Sequence, residues 1–139
     1  MKPALRHSLV AILALVALPA CVGPGPEADA STTRISRAGL FEVSYTSTVT
    51  PVPKRALHSW TLQVHTRDGH PVTDARIRVE GGMPQHGHGL PTAPVVRAGP
   101  GDGLYVLEGM KFNMGGYWVV DLVITSPEGN DDVRFELNL

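Results

Sequence analysis

From residue 39 onward, apolar side chains recur at every second position in short runs, a period that suits strands and does not suit helices. Phe41, Val43 and Tyr45 share one face of residues 39–46. In residues 57–66, His58, Trp60, Leu62 and Val64 face one way, and Ser59, Thr61, Gln63 and His65 the other. Ala75, Ile77 and Val79 alternate with Asp74, Arg76, Arg78 and Glu80. Tyr105 and Leu107 form a shorter run, and Trp118, Val120, Leu122 and Ile124 form the most apolar one. Val133, Phe135, Leu137 and Leu139 close the chain. Pro- and Gly-rich turn signals separate the runs at 50–54, 68–71, 99–103 and 127–130. No segment after residue 33 has helical periodicity. The pattern predicts an all-β domain over residues 37–139, an immunoglobulin-like antiparallel β-sandwich of about seven strands. Pro94 places the run at 92–98 near a sheet edge. Asp102-Gly103-Leu104-Tyr105 looks like a tyrosine corner. Trp60, Leu62, Val64, Ile77, Tyr105, Trp118, Val120 and Leu122 are the expected core.

The N-terminal segment has a different composition. Lys2 and Arg6 precede an apolar run from Leu9 to Leu18, which has the length of a signal-peptide core and is too short to span a bilayer. The run ends in Leu18-Pro19-Ala20-Cys21, which resembles the bacterial lipobox, whose cysteine is lipidated. Residues 1–20 are therefore expected to be a lipoprotein signal peptide. Residues 21–36 read as a lipidated N-terminus and a flexible Gly/Pro/Ser/Thr linker. The alternative is an ordinary secretory signal that leaves Cys21 as a stray thiol. Either way the protein is exported, and the lipobox places it in the bacterial cell envelope with its domain in the periplasm. Val22, where inner-membrane retention would call for Asp, favours the outer membrane over the inner.

The formal net charge is -1, so no basic footprint for nucleic acid exists. With a single cysteine, an internal disulfide and a cysteine-only metal cluster are both excluded. Two stretches carry the remaining chemistry. Gly81-Gly82-Met83-Pro84-Gln85-His86-Gly87-His88-Gly89 places a thioether and two imidazoles within six positions. Gly109-Met110-Lys111-Phe112-Asn113-Met114-Gly115-Gly116 adds two thioethers. Every methionine except the initiator lies in these two stretches. Sulfur and imidazole in this mixture suit copper. His86 and His88 project to one side if their segment is extended. A second reading stays open, in which the histidines sit in a solvated loop and the methionines fill gaps at the end of the sandwich.

In order, Met83-Pro84-x-His86-x-His88, Gly103-x-Tyr105 and Met114-x-Gly116-x-Trp118 resemble the YtkA-like and FixH-like domains. The similarity covers residues 37–138. It implies an immunoglobulin-like sandwich, copper handling outside the cytoplasm or assembly of copper oxidases, and no enzymatic activity. Three classes of function are thus weighed. The first is a membrane-anchored copper-binding module using Met83, His86, His88, Met110 and Met114. The second is an interaction module that docks onto an envelope protein partner. The third is an enzyme, for which no nucleophile–base pair, carboxylate pair or phosphate loop is present. A blue-copper site needs a cysteine thiolate, and Cys21 is committed to lipid. Cys21→Ala should move the exported protein from the membrane fraction to the soluble fraction. A wild-type protein found soluble with a free thiol would refute lipidation.

Overall fold

The computed structural model describes residues 28–139. Cys21, the leader over residues 1–20 and the linker before residue 28 lie outside the described residues. All seven alternating runs become strands, and two very short strands join them. In chain order these are β1 (Thr33–Ile35), β2 (Phe41–Ser47), β3 (His58–Thr66), β4 (Arg76–Met83), β5 (His88–Gly89), β6 (Val95–Ala98), β7 (Leu104–Met110), β8 (Tyr117–Ser126) and β9 (Gly129–Asn138). One 3-10 turn, Pro84–His86, links β4 to β5.

Two antiparallel sheets result, ordered β1-β2-β3-β7-β6 and β5-β4-β8-β9. Without the three-residue β1 and the two-residue β5, the orders are β2-β3-β7-β6 and β4-β8-β9. That is the four-plus-three arrangement of an immunoglobulin constant-type sandwich. β6 lies at the edge of its sheet and starts just after Pro94, whose nitrogen cannot donate to a ladder. The fold begins earlier than residue 37. Thr33 pairs with Ser44 and Ile35 with Glu42, inside the stretch whose composition suggests linker. Three residues are too few to display a period, so β1 is silent in the sequence.

The inward positions of both sheets are sealed. Trp60, Leu62 and Val64 of β3 and Val120, Leu122 and Ile124 of β8 are all 0% exposed. Tyr45 stacks on Trp60 at 4.0 Å between ring centroids, and Phe135 of the opposite sheet meets Tyr45 edge-on at 4.9 Å. Ile77 is the one expected core residue that is only partly buried. At its height β4 is paired with β8 alone, because β5 reaches only Gly82 and Met83. The β4 edge from Arg76 to Glu80 thus has no hydrogen-bonded strand partner among the described residues, although β6 of the other sheet lies near it. Its outward side chains are Arg76, Arg78 and Glu80, with Arg78 and Glu80 paired at 3.1 Å.

Two polar anchors tie the sheets together. The Tyr105 hydroxyl donates to the Val72 carbonyl at 2.7 Å and accepts from the Ala75 amide at 3.0 Å. A tyrosine corner reaches only a few residues upstream. Tyr105 instead reaches 33 residues back and straps the lead-in to β4 onto β7 of the other sheet. Asp131 of β9 accepts the Ala38 amide at 2.9 Å and the Leu40 amide at 3.2 Å, holding the β1–β2 turn. Burial raises the Asp131 pKa, but hydrogen bonds from Ser36, Ala38, Leu40 and Asp132 outweigh it and the net shift is downward from 3.8.

His58, on the inward face of β3, is 6% exposed among Trp60 and Phe112. Its Nδ1 lies 3.3 Å from the Ala56 carbonyl, and its Nε2 has no partner among the described residues. Burial lowers its pKa below 6.5, partly offset by that carbonyl.

Two predictions rest on these groups. Asp131→Ala removes the acceptor of three amides, those of Ala38, Leu40 and Asp132, and should cost about 1–3 kcal/mol, read from the urea midpoint. Because the folded chain holds the Asp131 proton less tightly than the unfolded chain, its contribution is intact above pH 3.8 and is lost as the pH falls below that. The second concerns His58, which the unfolded chain protonates first. Its stabilising share is intact above pH 6.5 and declines as the pH drops below that value. The urea midpoint should therefore fall between about pH 7.5 and about pH 5.5, and His58→Leu should flatten that fall.

Candidate functional site

The first ligand-bearing stretch is partly strand. β4 runs on through Gly81 and Gly82 to Met83, so Met83 continues the inward series of Ile77 and Val79 and is 2% exposed. The chain then makes the 3-10 turn, passes Gly87 at φ 62° and returns as β5, with Met83 opposite His88. Gly82 is required here, because a Cβ on it would collide with the His88 carbonyl oxygen. The segment is therefore not extended, and the simple same-side projection of His86 and His88 does not apply. Their rings still lie nearly parallel, 22° apart, with centroids 6.2 Å from each other. Both residues are exposed.

The second stretch also begins inside a strand. His58 pairs with Met110, but Trp60 pairs with Leu107, so β7 carries one extra residue against β3. That bulge contains Gly109 at φ 82°, a conformation that glycine adopts without strain. It shifts the alternation by one, so Tyr105, Leu107 and then Met110 face inward. Met110 is 0% exposed and belongs to the core.

Beyond Met110 the chain crosses the end of the sandwich to β8. Phe112 plugs the core there, edge-on to Trp118 at 5.1 Å. The crossing is pinned at several points. The Arg55 amide donates to the Phe112 carbonyl at 2.6 Å, and the Arg55 side chain to the Asn113 carbonyl at 3.3 Å. The Trp118 indole N–H donates to the Met114 carbonyl at 3.1 Å. The Gly116 amide donates to the Leu139 carbonyl at 2.7 Å. Met114 thus sits on a held backbone with its side chain 44% exposed.

The β4–β5 turn and the β7–β8 crossing meet. A cavity of about 180 Å³ lies between them, lined by Met83, His88, Gly89, Asn113, Met114 and Trp118. Three of the five sequence-predicted ligands, Met83, His88 and Met114, share this lining. His86 stands outside it, beside His88. Met110 lies apart in the core beside His58, for the reason given by the bulge. Asn113 lines the cavity without having been singled out from sequence, and Trp118, expected in the core, is buried there and lines the cavity as well.

The lining contains no carboxylate. No group of three or more His, Cys, Asp or Glu side chains suited to a metal occurs among the described residues. The donors this lining offers are thioethers and imidazole, which are neutral. Without an anionic ligand, a divalent ion would bring uncompensated charge to a largely apolar lining, and a soft monovalent ion brings less. The donor set fits Cu(I) better than harder ions.

No curated protein and no solved structure matches the chain. A family model described as YtkA-like matches residues 33–123, more than half of the chain. The matched segment runs from β1 into β8 and contains both ligand-bearing stretches. The chain belongs to the YtkA-like family.

Proposed function

We propose that this protein is an exported, envelope-anchored binding protein that holds copper, preferentially Cu(I), at the end of its sandwich. The supporting observation is that Met83 and His88, on β4 and β5, and Met114, on the β7–β8 crossing, line one cavity. Met83 and Met114 supply soft sulfur, and His88 supplies nitrogen. His86, next to His88 and exposed, serves as an outer ligand during loading or release. Such a set suits carriage or buffering of the ion on the way to a copper enzyme, and the chain itself performs no chemistry. The lipobox-like Leu18-Pro19-Ala20-Cys21 supports anchoring and a periplasmic domain, on the outer membrane more readily than the inner.

A second reading draws on exposure. Met114 at 44% and Leu57 at 66% present apolar surface near this end, which suits docking onto an envelope protein without metal. Competition titration with Cu(I) and Cu(II) separates the two. The parent should bind Cu(I) more tightly than Cu(II). His88→Ala and Met114→Ala should each weaken Cu(I) binding by about ten-fold or more, and His86→Ala by less. Met110→Leu should leave it unchanged. A His86→Ala/His88→Ala protein that binds as tightly as the parent would refute the site, and a parent that binds neither ion would leave the docking reading in its place.

A further inference from the structure

The three methionines of the domain differ sharply in access to solvent. Met83 is 2% exposed, Met110 is 0% and Met114 is 44%. Met114 also touches the cavity, together with His88 and Met83. Its backbone is fixed by the Trp118 indole and, next door, by Arg55, so an exposed residue of the cavity lining starts from a held main chain. Among the described residues, Met83 and Met110 belong to the packed core and Met114 does not.

We propose that Met114 is an oxidation site through which hydrogen peroxide, or a related hydroperoxide, switches off the cavity's soft-metal binding. This rests on the copper reading above. A sulfur lone pair of Met114 attacks one peroxide oxygen. The S–O bond forms as the O–O bond breaks, and the departing hydroxide (an alkoxide from an organic hydroperoxide) takes the proton carried by the oxygen now on sulfur and leaves as water (or the alcohol). The thioether is oxidised to the sulfoxide by two electrons, and the peroxide is reduced. The product exposes a hard, polar oxygen where the cavity had a soft sulfur donor, which removes a ligand that Cu(I) favours. Met83 stays reduced, so the cavity keeps one thioether and His88. The fold stays intact, because Met114 contributes no core packing. Enzymatic reduction of the sulfoxide would restore the donor.

The sequence makes the test direct. Arg78, Arg97, Lys111 and Arg134 place Met83, Met110 and Met114 on three separate tryptic peptides. The full exported chain, metal-free, is treated with hydrogen peroxide, and the gain of one oxygen is followed by mass on each peptide. The peptide with Met114 should gain it about ten-fold faster than the other two. The singly oxidised protein should then bind Cu(I) about ten-fold more weakly or worse, with an unchanged urea midpoint. Met114→Leu should start with the weaker binding and show no further loss after peroxide. Equal oxidation of Met83 or Met110 overturns the proposal. Oxidation confined to Met114 with unchanged Cu(I) affinity also overturns it, while leaving the copper reading in place. If the untreated parent binds no Cu(I), the copper reading and the switch fall together, whatever the oxidation pattern.

Discussion

The register of β7 against β3 decides where two of the three methionines of this domain, Met110 and Met114, go. One extra residue at the Gly109 bulge turns Met110 into the core and delivers Phe112 to the gap between Trp60 and Trp118. With Phe112 seated, the chain must leave over the top of the sandwich, and Met114 emerges at the rim. A chain without the bulge would alternate in the opposite phase from Gly109 on. It would send Met110 outward and leave the end of the core open. The site and the packing therefore share one cause, and neither can be altered at Gly109 without the other.

Much of the architecture is legible in the residues because strand burial has a period of two. Trp60-x-Leu62-x-Val64 and Trp118-x-Val120-x-Leu122 announce both the strands and the faces that meet. Pro94 announces an edge through its missing donor. What escapes the sequence is whatever depends on contact across the chain. β1 is too short to show a period and exists through pairing with β2. Tyr105 has the local signature of a corner, yet its hydroxyl is claimed by Val72 and Ala75. Glycines read as loop at Gly81 and Gly82 are strand residues, chosen because β8 and the returning β5 approach too closely for a Cβ.

The candidate site follows the same division. Its composition is visible in the two Met- and Gly-rich stretches, and so is the expectation that loops gather at the ends of a sandwich. The split of the five residues is not visible. Strand continuation removes Met83 to the cavity floor, the bulge removes Met110 altogether, and the left-handed Gly87 holds His86 away from the lining. Hydrogen bonds from Arg55 and Trp118 then fix the crossing that bears Met114. Two donors are thus set on paired strands of one sheet, β4 and β5, and the third on a pinned crossing, rather than all on one pliant loop, so less ordering is left to accompany ligand capture.

The short reach of β5 has a consequence for how copies of the domain behave toward one another. It leaves Arg76–Glu80 as an open rung of amides and carbonyls, the kind of border along which sheets extend from one molecule to the next. Arg76, Arg78 and Glu80 line the outer face of that border. A second molecule adding itself there would have to strip water from these charged side chains and disturb the Arg78–Glu80 ion pair. The border can stay unpaired without becoming a seam for fibre growth, because the strand carries its own electrostatic fence.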